Sequence, residues 1–340
     1  MNTNVEWFKE AKFGLMIHWG LYSLLAGEYD GQSSSNYAEW IQSKFQIPNE
    51  EYEKLADAFN PLYFDADKIV SYAKDWGMNY LVVTTKHHDG FAMYQSEVDA
   101  YNIVEATPFK RDILMELSVA CKKQGLKLGI YYSQDLDWHE ADGGGYLSNH
   151  LETAGTTWDN SWDFTGEKDF SRCFERKILP QIKEIMTNYG EIVTAWFDMP
   201  MTLSEEQSQQ IYDTVKELQP NCLINSRLGN GKYDYVSLGD NEIPETTETE
   251  NQEIDYNSVD GLKPSPSQLY ETAGTMNDSW GFSYHDQNWK SPETIFNYKT
   301  HLNQLGVNYL LNVGLDGLGR IPMASIQTLN AVRDMEKVAH

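Results

Sequence analysis

IVTAWFDMP, residues Ile192–Pro200, is an apolar run that ends in one carboxylate, Asp198, two residues after Trp196. Its β-branched and aromatic content reads as a buried strand. An acid at the end of such a strand has two readings. It can cap the helix that follows. Alternatively, it projects from the C-terminal end of a barrel strand, where barrel enzymes keep their reacting groups. The rest of the chain decides between them.

Working outward, short β-branched or aromatic runs alternate with amphipathic helical stretches. The strands are expected at Phe13–Trp19, Tyr80–Lys86, Leu126–Tyr132, Ile192–Phe197, Cys222–Ser226, Tyr233–Leu238, Leu269–Ala273 and Val307–Asn312. Helices are expected at Asp65–Trp76, Arg111–Gln124, Phe170–Tyr189, Ser204–Leu218, Pro292–Leu305 and Met323–Val338. Gly77, Gly125, Gly190 and Gly306 stand where helices should stop, and Ser204 and Ser291 where they should start. Repeated helix–glycine–strand units mean parallel strands joined by crossovers. Eight strands without a glycine-rich dinucleotide fingerprint favour a (β/α)8 TIM-like barrel over a doubly wound sheet. No good helix lies between Cys222 and Leu238, so the barrel should be irregular around strands 5–7. Gly143–Asp163 and Glu242–Ser267 read as long loops lining its mouth. No linker divides residues 1–340, which reads as a single catalytic domain.

The 340 residues suit a barrel of roughly 250 residues with insertions. A net charge of −25, aided by the acidic run Glu245–Glu253, argues against nucleic acid or an anionic membrane face as partner. Three scattered cysteines, Cys121, Cys173 and Cys222, argue against a disulfide framework and a thiolate metal site. The N-terminal stretch lacks a signal-like apolar core, and no run approaches about 18 apolar residues. The expectation is a soluble cytoplasmic protein.

Nearly every expected strand ends in a polar side chain: His18, then His87 and His88, Tyr132, Asp198, Arg227, Asp240 with Glu242, Glu271 and Asn312. Each has a plain structural alternative. His18 can be a core histidine, and one of His87 and His88 can be structural if the strand continues through them. Arg227 can pair with a neighbouring acid, and Trp40, Trp196 and Trp280 can simply fill space. Together they describe a polar pit in an apolar cylinder. Ten tryptophans and twenty-one tyrosines suit a sugar, which offers an apolar face and a rim of hydroxyls. Histidines near carboxylates also raise a metal-dependent hydrolase. There is no His-x-His pair on the first strand and no HExxH, so no metal and no cofactor is expected.

FGLMIHWGLYS, YLVVTTKHHDGF, GIYYSQDLDWH, AWFDMP, INSR and SWGF, in this order from about Trp7 to Pro322, resemble the α-L-fucosidases of glycoside hydrolase family 29. SSSNYAEW, INSRLGNGKYD and NYLLNVGLDGLGR look most like the compact bacterial α-1,6-fucosidases. The resemblance implies a retaining exo-hydrolase, able also to transfer fucose, that acts on a fucosylated glycan with fucose α-1,6-linked to N-acetylglucosamine. It implies Asp198 as nucleophile. His18, Glu39, Trp40, His87, His88 and Tyr132 would bind the sugar hydroxyls, with Arg227 beside the nucleophile. Tyr37, Trp196, Phe282 and Met16 would form the wall against the C5 methyl, and Trp280 of SWGF would also meet the substrate. It leaves no length for the family's common C-terminal β-sandwich, and a homo-oligomer is compatible with it.

The acid/base departs from the family's pattern. The nearest match to its T-P-E form, Ile243-Pro244-Glu245, lacks the threonine. Asp240, at a strand end, is therefore ranked first and Glu271 second, with Glu242 and Glu245 lower; Glu242 is also counted with the substrate-binding residues. Two other classes remain open: a non-catalytic fucose-binding protein, and a metal-dependent barrel hydrolase.

Overall fold

The computed structural model describes residues 3–34, 36–146, 157–245 and 269–339. Of the two expected mouth loops, residues 147–156 and 246–267 lie outside the described residues.

Eight strands form the sheet: β1 Phe13–His18, β2 Tyr80–Lys86, β3 Lys127–Tyr132, β4 Thr194–Phe197, β5 Leu223–Ile224, β6 Val236–Ser237, β7 Tyr270–Thr275 and β8 Val307–Gly314. Their order is β5-β4-β3-β2-β1-β8-β7-β6, and every neighbouring pair is parallel. One parallel bridge, Asn225 to Tyr235, joins the two outer strands. Tyr235 and Asp234 both donate their amides to the Ile224 carbonyl there. The cylinder is thus a (β/α)8 barrel. The expected irregularity falls at β5 and β6, each two residues long and joined through a 3-10 turn, Ser226–Leu228, in place of a helix.

Alternation along each strand separates two apolar layers. Leu15, Ile17, Leu81, Val83, Ile130, Tyr132, Ala195 and Phe197 join the shell under the helices. Met16, Val82, Tyr131 and Trp196 belong to a second cluster that fills the cylinder. Phe8 and Ala11 of the helix Thr3–Ala11 complete that inner cluster, and Phe8 lies 4.6 Å from the Tyr235 ring. The Asn308 amide holds this helix through the Phe8 carbonyl at 2.7 Å. A barrel plugged at one end leaves its other end for ligands.

The outer helices start where side chains can cap them. Asp65, Asp112 and Ser291 each accept an N–H from the first turn, and Ser204 forms a capping box with Gln207. The expected helix Phe170–Tyr189 is broken into Phe170–Cys173, a π turn Phe174–Ile178 and Leu179–Asn188. Pro180 follows the π turn and lacks an N–H to continue the ladder. The turn carries Lys177 into the interior, where its ammonium meets Asp99 at 2.8 Å and Asp137 at 3.0 Å. Lys86 of β2 reaches the same Asp137 oxygen at 2.8 Å. Burial resists ionisation of Asp137, but these two ammonium groups outweigh it and hold its carboxyl far below the usual range. The network ties the loop after β2 to the loop after β3.

No helix among the described residues is long and apolar enough to cross a membrane, and no β-sandwich is present among them. Asp137→Ala would leave two fully buried lysines short of a partner. The expected loss is about 3–5 kcal/mol, read as a lower urea midpoint.

Candidate active site

A cavity of ≈ 450 Å³ opens at the C-terminal ends of the strands. Asp198 stands in its wall one residue beyond β4, and the local backbone explains why. Strand β5 is too short to continue the ladder, so the Asn225 side chain replaces it. Its carbonyl accepts the Phe197 N–H at 2.8 Å, and its amide donates to the Phe197 carbonyl at 2.9 Å. Gln134 takes the Asp198 N–H at 2.9 Å. The chain then turns sharply at Met199, whose φ of 51° is left-handed. The buried Asp135 carboxylate gathers the next amides, of Met201, Thr202 and Leu203, at 2.7–2.9 Å. The nucleophile candidate therefore sits on a fixed support.

Its carboxylate is held by donors on both oxygens. Tyr131 donates to one at 2.8 Å, while Arg227 at 3.1 Å and the Met199 N–H at 3.0 Å reach the other. The other arm of the Arg227 fork binds Asp240. This guanidinium is buried, lies 4.7 Å over the Trp196 ring, and bridges the two acids. Burial alone would weaken its charge, but the two carboxylates more than offset that and raise its pKa.

The histidines work as neutral groups. Asn312 donates its amide to the Trp280 carbonyl, so its oxygen faces His18 Nδ1 at 2.7 Å. That nitrogen must carry the proton, leaving Nε2 of His18 as an acceptor. Ser133 donates to the Leu136 carbonyl and so accepts from His88 Nδ1 at 2.7 Å. His88 Nε2 then has no hydrogen-bond partner and lies 3.7 Å from Asp198. Burial lowers the pKa of His18 and of His88 to about 4, and lowers that of His87 as well. His87 stacks on Tyr131 at 5.3 Å, and Gly90 follows in the same loop at φ 77°. A Cβ on Gly90 would meet an Asp137 oxygen at 2.2 Å, so the loop closes there only with glycine.

Glu39 is fully buried. One oxygen accepts the Gly281 N–H at 2.7 Å and the other has no partner. Burial raises its pKa to about 7. Trp40 meets His88 at 4.9 Å and Trp138 at 5.3 Å, both edge-on.

The cavity wall thus brings together His18, Tyr37, Glu39, Trp40, His87, Trp196, Asp198, Arg227, Asp240 and Trp280. His87 and His88 both reach the site because β2 ends at Lys86, before their directions could alternate. Other candidates stand elsewhere. Tyr132, expected on the sugar, is corrected by the strand alternation: it faces the helices and donates to Gln181 at 2.8 Å. Tyr131 occupies the inner face in its place. Phe282 borders a small separate pocket near Gly314. Glu242 closes a turn through the Gly239 N–H, and Glu245 is exposed. Met16 lies in the barrel filling. Glu271 is also inside the barrel, outside the cavity wall, taking Tyr80 O–H at 2.7 Å and Trp196 Nε1 at 3.0 Å. Sequence reasoning missed Tyr131, Met199, Lys44 and Trp158 in the site. Tyr131 carried no sequence signal that set it apart from Tyr132; in the structure it pairs in register with Trp196.

Among the described residues, Asp99, His139 and Glu140 alone are spaced like metal ligands. They lie away from the cavity, and the Lys177 ammonium already contacts both acids.

Two acids on one arginine, ringed by neutral histidines and tryptophan faces at a barrel mouth, define a glycoside hydrolase. The comparisons narrow this. The α-L-fucosidase family model matches residues 1–337, and the chain belongs to that family. It is 71% identical to the unliganded α-L-fucosidase AlfC of Lactobacillus casei, with a TM-score of 0.91 over 100% of this chain and 99% of that one. AlfC carrying Fucα(1,6)GlcNAc superposes with a TM-score of 0.89, at 69% identity, over 98% of this chain and 99% of that one. An α-L-fucosidase of Dictyostelium discoideum is 26% identical over 95% of this chain and 68% of its own length. Against the fucosidase of Vibrio sp. strain EJY3 the identity is 34% and the TM-score 0.86, over 99% of this chain and 56% of that one.

Burial raises the pKa of Glu271 to about 7 from 4.5. The folded state therefore holds a proton there that the unfolded chain releases above pH 4.5. Its contribution to stability falls as pH rises from about 4.5 to 7. Urea unfolding of Glu271→Gln and of the unsubstituted protein at pH 5 and 8 should show the difference moving toward the variant, by on the order of 3 kcal/mol. A difference independent of pH rules the assignment out.

Proposed function

We propose that the chain is a retaining exo-α-L-fucosidase that releases fucose α-1,6-linked to N-acetylglucosamine. Asp198 is the nucleophile and Asp240 the acid/base. The observation that carries this is the single guanidinium gripping both carboxylates. Acids on the two arms of one planar fork suit the retaining separation of about 5–5.5 Å better than the wider spacing that leaves room for water. The linkage is supported by the similarity to AlfC, a substituted variant of which is in complex with Fucα(1,6)GlcNAc.

In the first step Asp198 attacks C1 while Asp240, released from Arg227 and carrying a proton, gives that proton to the leaving oxygen. The new C1–oxygen bond to Asp198 quenches the positive charge on the sugar and gives a neutral ester, so the ionised Asp240 can return to Arg227. In the second step water, or a sugar hydroxyl when fucose is transferred, attacks C1 while giving its proton to Asp240, and the C1–oxygen bond to Asp198 breaks to restore the carboxylate. His18 Nε2, His88 Nε2 and the free oxygen of Glu39 supply unfilled acceptors for hydroxyls, and such bonds tighten as positive charge develops on the ring. Trp280 lines the cavity and offers its ring to the sugar's apolar side.

We also place the protein in the cytoplasm as one catalytic domain. Its three cysteines are free and buried, with burial raising each thiol pKa, which fits a reducing compartment. Metal plays no part in this mechanism, so a chelator should leave turnover unchanged.

Asp198→Gly should cut turnover on 4-nitrophenyl fucoside by about 10³-fold or more, with azide restoring it as the β-fucosyl azide. Asp240→Ala should be rescued by azide to the α-azide. Rescue of Glu271→Ala in place of Asp240→Ala reverses the acid/base assignment. Chromatography and NMR of the azide products decide.

A further inference from the structure

Trp158 differs from the tryptophans of the cavity floor. Trp196 and Trp280 are 2% and 5% exposed, whereas Trp158 lines the same cavity at 36% exposure. Its ring meets Trp40 edge-on at 5.2 Å, and Trp40 meets His88 beside the nucleophile. A line of rings therefore runs from the reacting carboxylate to the mouth.

One part-exposed tryptophan is ordinary, but the backbone beneath this one is closely held. Its N–H donates to the Gly145 carbonyl at 2.7 Å, and its own carbonyl accepts from Trp138 Nε1 at 2.8 Å. Gly145 approaches so closely, at φ 95°, that a Cβ would sit 2.8 Å from the Trp158 carbonyl group. The Gly145 N–H is bound in turn by Asp135 at 2.8 Å. Asp135 is the same buried carboxylate that gathers the amides after Asp198. The exposed ring and the nucleophile thus share one anchor, which fixes their spacing.

We infer that Trp158 is the platform on which the aglycone sugar, an N-acetylhexosamine, rests its apolar face. This deepens the fucosidase reading and rests on it. With fucose on the floor against His18, Trp196 and Trp280, the leaving oxygen faces Asp240. The next ring must then lie outward, where Trp158 is. A pyranose presents a face of C–H groups that an indole covers well, and a cavity of this size belongs to the range that takes more than one small ring. Because the backbone is held independently of the side chain, the ring can be removed while the loop stays in place.

The test compares two donors that share fucose and differ in the leaving group: Fucα(1,6)GlcNAc, and α-L-fucosyl fluoride, which has no ring to stack. For Trp158→Ala, kcat/KM on the disaccharide should fall about tenfold, with the fluoride within about twofold of the unsubstituted enzyme. Trp158→Phe should recover most of the loss. Equal rates on the disaccharide overturn the proposal, and so does an equal fall on both donors, which would make Trp158 a support for the fucose site. Should Trp158→Ala not fold, Trp158→Leu, apolar without a flat face, carries the same comparison. An unsubstituted protein inert on both donors instead overturns the fucosidase reading itself.

Discussion

Arg227 occupies a position that few cations tolerate: almost fully buried, with its face on Trp196 and its two arms on Asp198 and Asp240. A buried charge is costly unless paired and hydrogen-bonded. Here the partners are the two acids proposed for the chemistry, so the interaction that makes the arginine tolerable would also space the reacting groups. Removing either acid would leave unbalanced charge in the barrel. The geometry of the site and the electrostatic balance of the interior are one constraint.

Around that pair the protein keeps its histidines uncharged. Asp198 lies only 3.7 Å from His88, yet burial outweighs its pull, and His18, His87 and His88 stay neutral. Neutral imidazoles give the pocket fixed acceptors with assigned tautomers instead of mobile cations that would compete with Arg227 for Asp198. Apart from Lys44, which lines the cavity, the nearby positive charge lies behind the wall, where Lys86 and Lys177 close on Asp137. Two ionic centres, one of them at the site, are separated by a layer of histidine and tryptophan rings.

Much of this was legible in the sequence. All eight strands stand where alternation and glycine punctuation put them, within a few residues, since buried parallel strands leave unbroken apolar runs. The irregularity at β5 and β6 was legible because a helical pattern is missing there. What escaped was set by register and loop geometry. Tyr131 and Tyr132 are chemically identical neighbours, and only the pleat decides which enters the barrel. Glu271 looks like a strand-end acid in one dimension, yet it faces inward beneath Trp196, where Tyr80 also bonds it. Trp158 lies within the long loop read at Gly143–Asp163, and no periodicity places a loop residue. The π turn at Phe174–Ile178 left no mark either, beyond the proline after it.

Between β5 and β6 the barrel closes on one ladder bridge, Asn225 to Tyr235, backed by side-chain bonds from the Ile224 N–H to Asp234 at 2.8 Å and from the Ser237 N–H to Ser226 at 3.0 Å. Arg227 sits two residues from that join, and Asn225 also props the edge of β4 just before Asp198. The seam with the shortest ladder among the described strands therefore runs alongside the proposed acids. On warming, amides flanking this seam would exchange with solvent before those of β1 or β8. Opening there would part the acids while the remaining strands stay paired. Such an enzyme loses its catalytic power by unzipping at one edge, below the temperature at which its core melts.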